Sequence, residues 1–380
     1  MDTHTMEELR TKQALPLSIK VKMTENRIRE WVKEYGLDGV YISFSGGKDS
    51  TVLLDIGRKI YPDLLAVFSD TGLEYPEIRE FVKSYENVTW VKPKHSFKQI
   101  ITKYGYPFIS KEVSEVVDES KRCLEKLRTR VRERERESAD EPLHLNVNVI
   151  RWLGEDALLE WEKITGEKAP NRLQMILGKY KKKTGELSAF NCERYKFFLD
   201  SPFKISNKCC YHMKKSPIKR FAHETGRLPI TAQMATESRL RMQKWLIYGC
   251  NGFQMTFPIS NPMSFWTEQD VLAYIKLKGL KIAPVYGDIV EVKPGNLDWN
   301  NGPFDEDRAV LKTTMCQRTG CMFCGYGAHL EKPEDARFVR LKTTHPKQYD
   351  YIMRPTEQGG LNYKEVIDWI NEHGNLHILY

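Results

Sequence analysis

No apolar run in this sequence approaches the ~20 residues that a membrane-spanning helix needs, so no span is expected. The first ten residues, Met1-Asp-Thr-His-Thr-Met-Glu-Glu-Leu-Arg10, are polar and acidic and do not read as a secretory signal, which makes a cytoplasmic location the expectation. A large excess of one charge is missing too: 59 Lys and Arg against 51 Asp and Glu leave a net charge of +8. That balance permits a nucleic acid or another polyanion as partner without requiring one. Eight cysteines in a chain without such a signal argue against a disulfide framework and for metal or redox chemistry. The 380 residues exceed one ordinary core, so two domains or one enlarged domain are expected, and the 41% hydrophobic content is that of a globular chain.

The Walker A phosphate loop is absent, since no glycine stands four residues ahead of a Gly-Lys-Ser/Thr. A different glycine turn is present. Val40 to Phe44 reads as a short buried strand, Ser45-Gly-Gly-Lys-Asp-Ser50 as a turn, and Thr51 to Ile60 as a helix with Val52, Leu53, Ile56 and Ile60 on one face. Strand, glycine turn and helix start together make an anion site. The glycines Gly46 and Gly47 let amides approach phosphate oxygens, the helix dipole favours negative charge, Lys48 adds a cation and Ser50 a hydroxyl. The six residues Ser45, Gly46, Gly47, Lys48, Asp49 and Ser50 match the PP-loop signature, and the turn resembles that of the ATP pyrophosphatase superfamily. That superfamily includes sulfonucleotide reductases and the enzymes that thiolate tRNA and DNA.

The residues up to Leu17 read as an extended or weakly helical lead-in, and Ser18 to Tyr35 as an amphipathic helix. Leu64 to Ser69 is a second buried strand, ending in Asp70-Thr-Gly-Leu-Glu-Tyr-Pro-Glu77. Strands alternating with helices predict a parallel sheet, with ligands beyond the carboxyl ends of the strands. Asp70 and Thr71 are then candidates for a ribose hydroxyl or a magnesium ion, with a helix cap as the plain alternative. This block is similar to the second block of the phosphoadenylyl-sulfate (PAPS) reductase family. A third strand is expected over Glu86 to Val91 and a helix over Ser96 to Tyr104.

From about Glu112 to Pro202 the chain reads as a charged helical insert, with Trp152, Leu153, Leu158, Leu159 and Trp161 as apolar anchors. The run Lys121 to Glu137 alternates charge at helical spacing, as a solvated helix laced with ion pairs does; the other reading is a basic surface for RNA or DNA, supported by Lys179-Tyr-Lys-Lys-Lys183. Farther on, Cys209-Cys210 and Cys321-Met-Phe-Cys324 form two pairs whose four thiols suit either an iron–sulfur cluster or a zinc ion. Cys123, Cys192 and Cys250 have no patterned partner and read as buried structural residues.

Cys209-Cys210 followed by Lys214-Lys-Ser-Pro217, with the later Gly320-Cys-x-x-Cys324, resembles the cysteine set that holds a [4Fe–4S] cluster in adenylyl-sulfate (APS) reductases. Glu237, Ser238 and Arg241 match the family's Gly-x-Arg-x-x-Glu-Ser-x-x-Arg block, whose Glu237 and Arg241 positions imply nucleotide contact. Ala232 and Met234 replace that block's glycine and first arginine. Ser264 to Ile275 resembles the family's Trp-Thr-x-x-Asp-Val helix, with Thr267 as N-cap and Asp270 at its third position; Ala283-Pro-Val-Tyr286 continues the likeness. The resemblance implies a Rossmann-like α/β fold with helices on both faces of a parallel sheet, arranged as 1–111, a charged insert 112–202, a remainder 203–327 and a helical C-terminal extension 328–380.

Three functions are compatible with these residues. In the first, ATP and Mg2+ on the PP-loop serve to adenylate an acceptor, with Lys48 and Asp49 catalytic, pyrophosphate leaving, and sulfur then displacing AMP with the cluster binding or relaying it. tRNA, DNA or a small molecule would be the acceptor, supplied by a sulfur donor. The second is a PAPS or APS reductase fed by an electron-donor protein. No cysteine follows Cys324, so Cys316 would have to supply that reaction's thiol. The third is a nucleic-acid-binding or defence-complex subunit that keeps the fold as a nucleotide sensor.

Overall fold

The computed structural model describes residues 4–137, 155–292 and 309–380. Ten strands are described: β1 (Val40–Ser43), β2 (Ala66–Ser69), β3 (Val88–Val91), β4 (Phe108–Ile109), β5 (Leu228–Ile230), β6 (Asn251–Gly252), β7 (Ile259–Ser260), β8 (Ile289–Val292), β9 (Val310–Thr313) and β10 (Gly325–Tyr326). The chain divides into two compact units, one of residues 1–94 and 213–322 and the other of 95–212 and 323–380. These borders differ from the four segments 1–111, 112–202, 203–327 and 328–380, because residues 95–111 and the C-terminal residues share a unit with the insert.

The first unit is built on a six-stranded sheet in the order β3-β2-β1-β5-β7-β6, parallel throughout except for the edge strand β6. Helices cover both sides, the α/β Rossmann-like arrangement that the resemblance implies, on the parallel sheet expected from the strand–helix alternation. Val40, Tyr41, Ile42 and Phe44 are buried, as a central strand covered on both faces demands. Chain order reverses at β1, whose neighbours are β2 on one side and β5 on the other. Open α/β sheets take ligands beyond the carboxyl end of a strand at such a reversal, and the Ser45–Ser50 turn lies at that end of β1. β8 and β9 form a separate antiparallel ribbon in the same unit.

Local elements agree with the sequence except at their edges. The lead-in is more ordered than expected: Met6–Ala14 is a helix closed by a capping box between Thr5 and Glu8. The helix after the turn starts at Lys48 rather than Thr51 and runs to Ile60, placing Lys48 and Asp49 in its first turn. Thr267 and Asp270 form the expected capping box of Glu268–Lys278. Asp270 has a second task. Its carboxylate accepts from the Lys20 ammonium at 2.7 Å, and Lys20 is 2% exposed. Beside them Trp266 donates to the Thr24 hydroxyl at 2.9 Å.

The second unit is mostly helical. Its longest helix, Lys111–Glu137, covers the charged run, and Arg122 pairs with Asp118 at helical spacing. Lys121 is turned to structure, donating to the carbonyls of Ser201 and Phe203 at 2.8 and 3.1 Å. Trp161 is buried as an anchor, whereas Leu159 is exposed; Trp152 and Leu153 lie outside the described residues. The C-terminal helix Tyr363–Gly374 belongs to this core: Tyr363 is fully buried against Tyr106 and Phe108, and its hydroxyl donates to the Phe323 carbonyl at 2.7 Å. β4 and β10 pair in parallel through Phe108 and Gly325. A side chain at Gly325 would overlap the Phe108 ring and stand 2.8 Å from the Pro107 carbonyl, so only glycine allows this approach.

Replacing Asp270 by Asn leaves the buried Lys20 ammonium without its counterion. The expected loss is about 3 kcal/mol in urea unfolding, since breaking one side of a buried pair strands the other charge. A loss no larger than that of an exposed surface substitution would show that the pair does not hold these helices together.

Candidate functional site at the glycine turn

The turn between β1 and the helix Lys48–Ile60 is held by its own side chains. Gly46 adopts φ +71°, and a Cβ there would stand 2.8 Å from Val82 and 2.9 Å from Ile78. Conformation and crowding both require glycine. The Ser50 hydroxyl donates to the Gly47 carbonyl at 3.0 Å and accepts from the Ser45 amide at 3.2 Å. Gly47, the residue before the helix, has no side chain with which to cap it. The positive end of a thirteen-residue helix is thus presented at the sheet edge with its dipole uncompensated by a local cap.

Other parts of the unit complete the site. The Tyr286 hydroxyl accepts from the Lys48 amide at 3.3 Å and lies 3.0 Å from the Thr319 hydroxyl, while its ring sits beside the Lys48 ammonium. Lys48, 4% exposed, donates to Glu268 at 2.6 Å. Arg241 pairs with Glu237, whose carboxylate also accepts from the Met234 amide at 2.8 Å. Burial pushes the Asp49 carboxyl above the usual aspartate range, aided by Glu268 and opposed by Lys48, Arg318 and Arg241. Burial also pushes the Arg241 guanidinium down, with Arg318 adding to it and Asp49 opposing. The Tyr286 hydroxyl is raised, first by burial and then by Asp49 and Cys316.

Of the residues singled out from the sequence, Ser45 to Ser50 and Arg241 with Glu237 are therefore gathered in one neighbourhood, and Cys316 lies close by. Cys316 is 2% exposed and its Sγ donates to the Arg318 carbonyl at 3.0 Å. Asp70 and Thr71 are engaged in their own loop. Asp70 pairs with Arg79 at 3.0 Å, and Thr71 donates from both its amide and its hydroxyl to the buried Glu74. Asp70 is not the cap of the following helix either; Tyr75 holds that position ahead of Pro76.

Four residues here escaped the sequence reading as site residues: Glu268, Tyr286, Arg318 and Thr319. Glu268 and Tyr286 lie in segments that looked only structural, and nothing local marks Arg318 or Thr319. The signal that could have found Glu268 is its place at the first position of a helix, where a carboxylate is common and so uninformative.

The cysteines are arranged less tightly. Cys209, Cys210 and Cys324 belong to the second unit and all act on the Tyr326 hydroxyl, which burial raises first and these thiols raise further. The Cys324 carbonyl is held by Arg337 at 2.7 Å. Cys321 belongs to the first unit. None of the eight cysteines, all of them described, is in a disulfide. The thiols are donors of the type an iron–sulfur cluster takes, but among the described residues no three His, Cys, Asp or Glu side chains converge as metal ligands. Burial raises the Cys123, Cys192 and Cys250 thiols, as it does for structural cysteines.

The family profile described as the phosphoadenosine phosphosulfate reductase domain matches residues 39–140 and 167–326, well over half the chain. The chain belongs to this PAPS reductase family. An adenosine 5'-phosphosulfate reductase of Geobacillus kaustophilus is 29% identical over 119 residues, 31% of this chain and 48% of that protein. An uncharacterized protein of Methanocaldococcus jannaschii is 40% identical over 70 residues, 17% of each. The chain thus spans about half and about a sixth of these curated relatives. A phosphoadenylyl-sulfate reductase from Candida auris, solved with phosphate, covers 74% of this chain and 91% of its own at 14% identity and a TM-score of 0.34. In this PAPS reductase family member no helix among the described residues is long and apolar enough to cross a membrane.

Glu268 competes with any bound anion for the Lys48 ammonium. Glu268→Gln is therefore expected to tighten inorganic pyrophosphate roughly fivefold in equilibrium dialysis, which corresponds to about 1 kcal/mol of lost competition from the partly buried pair. Weaker binding instead would mean that Glu268 holds Lys48 in its working position.

Proposed function

We propose that this chain is a PP-loop enzyme that binds ATP at the Ser45–Ser50 turn and adenylates an acceptor, with pyrophosphate release, as the activating step of a sulfur transfer. The observation that carries the reading is the intact turn: a glycine-only bend, an uncapped helix start and a buried lysine in one place. An acceptor oxygen attacks the α-phosphorus, the bond to pyrophosphate breaks, and a sulfur nucleophile later displaces AMP. Lys48 and the turn amides would stabilise charge growing on the leaving pyrophosphate. Asp49 would hold a magnesium ion, which supplies charge neutralisation between phosphates. Asp70 is already committed to Arg79.

A sulfonucleotide reductase is the second reading, favoured by the Geobacillus kaustophilus relative. Against it, the Cys316 thiol it would require is buried and occupied with the Arg318 carbonyl. The acceptor in the first reading is a nucleic acid, tRNA or DNA, or a small molecule.

Pyrophosphate and AMP formed from ATP by anaerobically purified protein, with bulk tRNA or DNA as separate additions, test the first reading beside a sulfite assay with PAPS and APS. Lys48→Ala is expected to lower pyrophosphate release on the order of a hundredfold, as loss of one transition-state donor does. Sulfite from either sulfonucleotide with ATP inert would replace this reading by the second.

From the likeness of the cysteine pattern alone, the set Cys209, Cys210, Cys321 and Cys324 is proposed to hold an iron–sulfur cluster. Iron and acid-labile sulfide are expected in anaerobic protein, lost in Cys209→Ser and Cys324→Ser and kept in Cys123→Ser. Zinc in their place, or iron indifferent to these serines, would overturn the assignment.

A further inference from the structure

At the glycine turn the charges are mostly spoken for. Lys48 is paired with Glu268, and Arg241 with Glu237. An anionic ligand arriving there meets cations that already have carboxylates. Arg318 is different: it is exposed, and its side chain makes no ion pair or hydrogen bond among the described residues.

Its position is fixed by its neighbours. The Met315 amide donates to the Tyr286 carbonyl at 3.1 Å and the Cys316 amide to the Val285 carbonyl at 3.2 Å, so the segment leaving β9 is tied to the strand of chain that carries Tyr286. The Arg318 carbonyl accepts from Cys316, and the next residue, Thr319, reaches the Tyr286 hydroxyl at 3.0 Å. That same hydroxyl meets the Lys48 amide, and a Cβ on Gly47 would lie 3.3 Å from it. The backbone on both sides of Arg318 is therefore moored within two hydrogen bonds of the phosphate turn. Arg318 also acts electrostatically on both Asp49 and Arg241.

We propose that Arg318 is the specificity-determining cation of this site, taking the outer anionic group of the nucleotide, a phosphate or a sulfate beyond the first phosphorus, through the two-pronged hydrogen bonding that guanidinium offers. The first arginine of the resembling block is replaced here by the buried, uncharged Met234. The charge comes instead from the loop between β9 and Cys321. The inference rests on the proposed nucleotide site and names which part of the nucleotide the loop reads.

The test is a binding panel by isothermal titration with ATP, PAPS, AMP and adenosine against wild type, Arg318→Gln, Arg318→Lys and Lys48→Ala, each checked for unchanged circular dichroism. Loss of one charge-assisted contact predicts roughly tenfold to a hundredfold weaker binding of ATP or PAPS by Arg318→Gln, with AMP and adenosine changed less than about twofold. Arg318→Lys is expected to recover part of the loss, because it keeps charge but not the planar fork. The salt dependence of ATP binding is expected to flatten in Arg318→Gln, as one ionic contact is removed. Unchanged affinity, or an equal loss for AMP and ATP, would overturn the role of Arg318 while leaving the site intact if Lys48→Ala still weakens ATP. If wild type binds neither ATP nor PAPS, the nucleotide site and the role of Arg318 both fall.

Discussion

The site depends on a backbone constraint at the end of the central strand. Between Phe44 and Lys48 the chain must leave a buried parallel strand and enter a helix within a few residues, under the crowding of Ile78 and Val82. Only glycine at 46 allows both the left-handed φ and the close approach. Because the next residue is also glycine, the helix begins without a local cap, and its positive end is left for another group. Tyr286 lays its hydroxyl there. A weak neutral acceptor at 3.3 Å is a modest partner for a helix start, and a phosphate oxygen is a far stronger one.

The charges around that turn are mostly paired with carboxylates. A buried ammonium without a counterion would cost several kcal/mol, so Lys48 has Glu268. Arg241, about a third exposed, pairs with Glu237. Such pairs keep the fold intact, and any anion bound at the proposed site would compete with carboxylates already in place. Arg318 stands outside this arrangement because it is exposed and water can solvate it.

The second unit shows how a charged segment can serve packing. Lys121 closes three hydrogen bonds on Ser201 and Phe203, and Arg172 bridges Glu115 and Glu119. On the helix itself Arg122 pairs with Asp118 and Arg128 with Glu125 at helical spacing. The same unit's aromatic centre draws Tyr106 and Phe108 together with Tyr363 from near the end of the chain, so the C-terminal helix is part of a core rather than an appendage.

Much of this was legible in the sequence, and the residues show why. Apolar runs at Val40–Phe44 and Leu64–Ser69, the glycine turn between strand and helix, and the Thr267–Asp270 capping box are local patterns, set by side-chain period, backbone sterics and neighbouring hydrogen bonds. They fixed the α/β class, the sheet's parallel sense and the place of the glycine turn. The tertiary structure alone decided which distant groups meet there. Glu268 reaches Lys48 across 220 residues and Tyr286 across 238, and Asp270 is both a local cap and the counterion of Lys20, 250 residues away. Asp70, at the edge where a ligand residue was expected, is held by Arg79 instead. Pairings of this kind depend on where the sheet order brings separate loops together, and no periodicity along the chain records them.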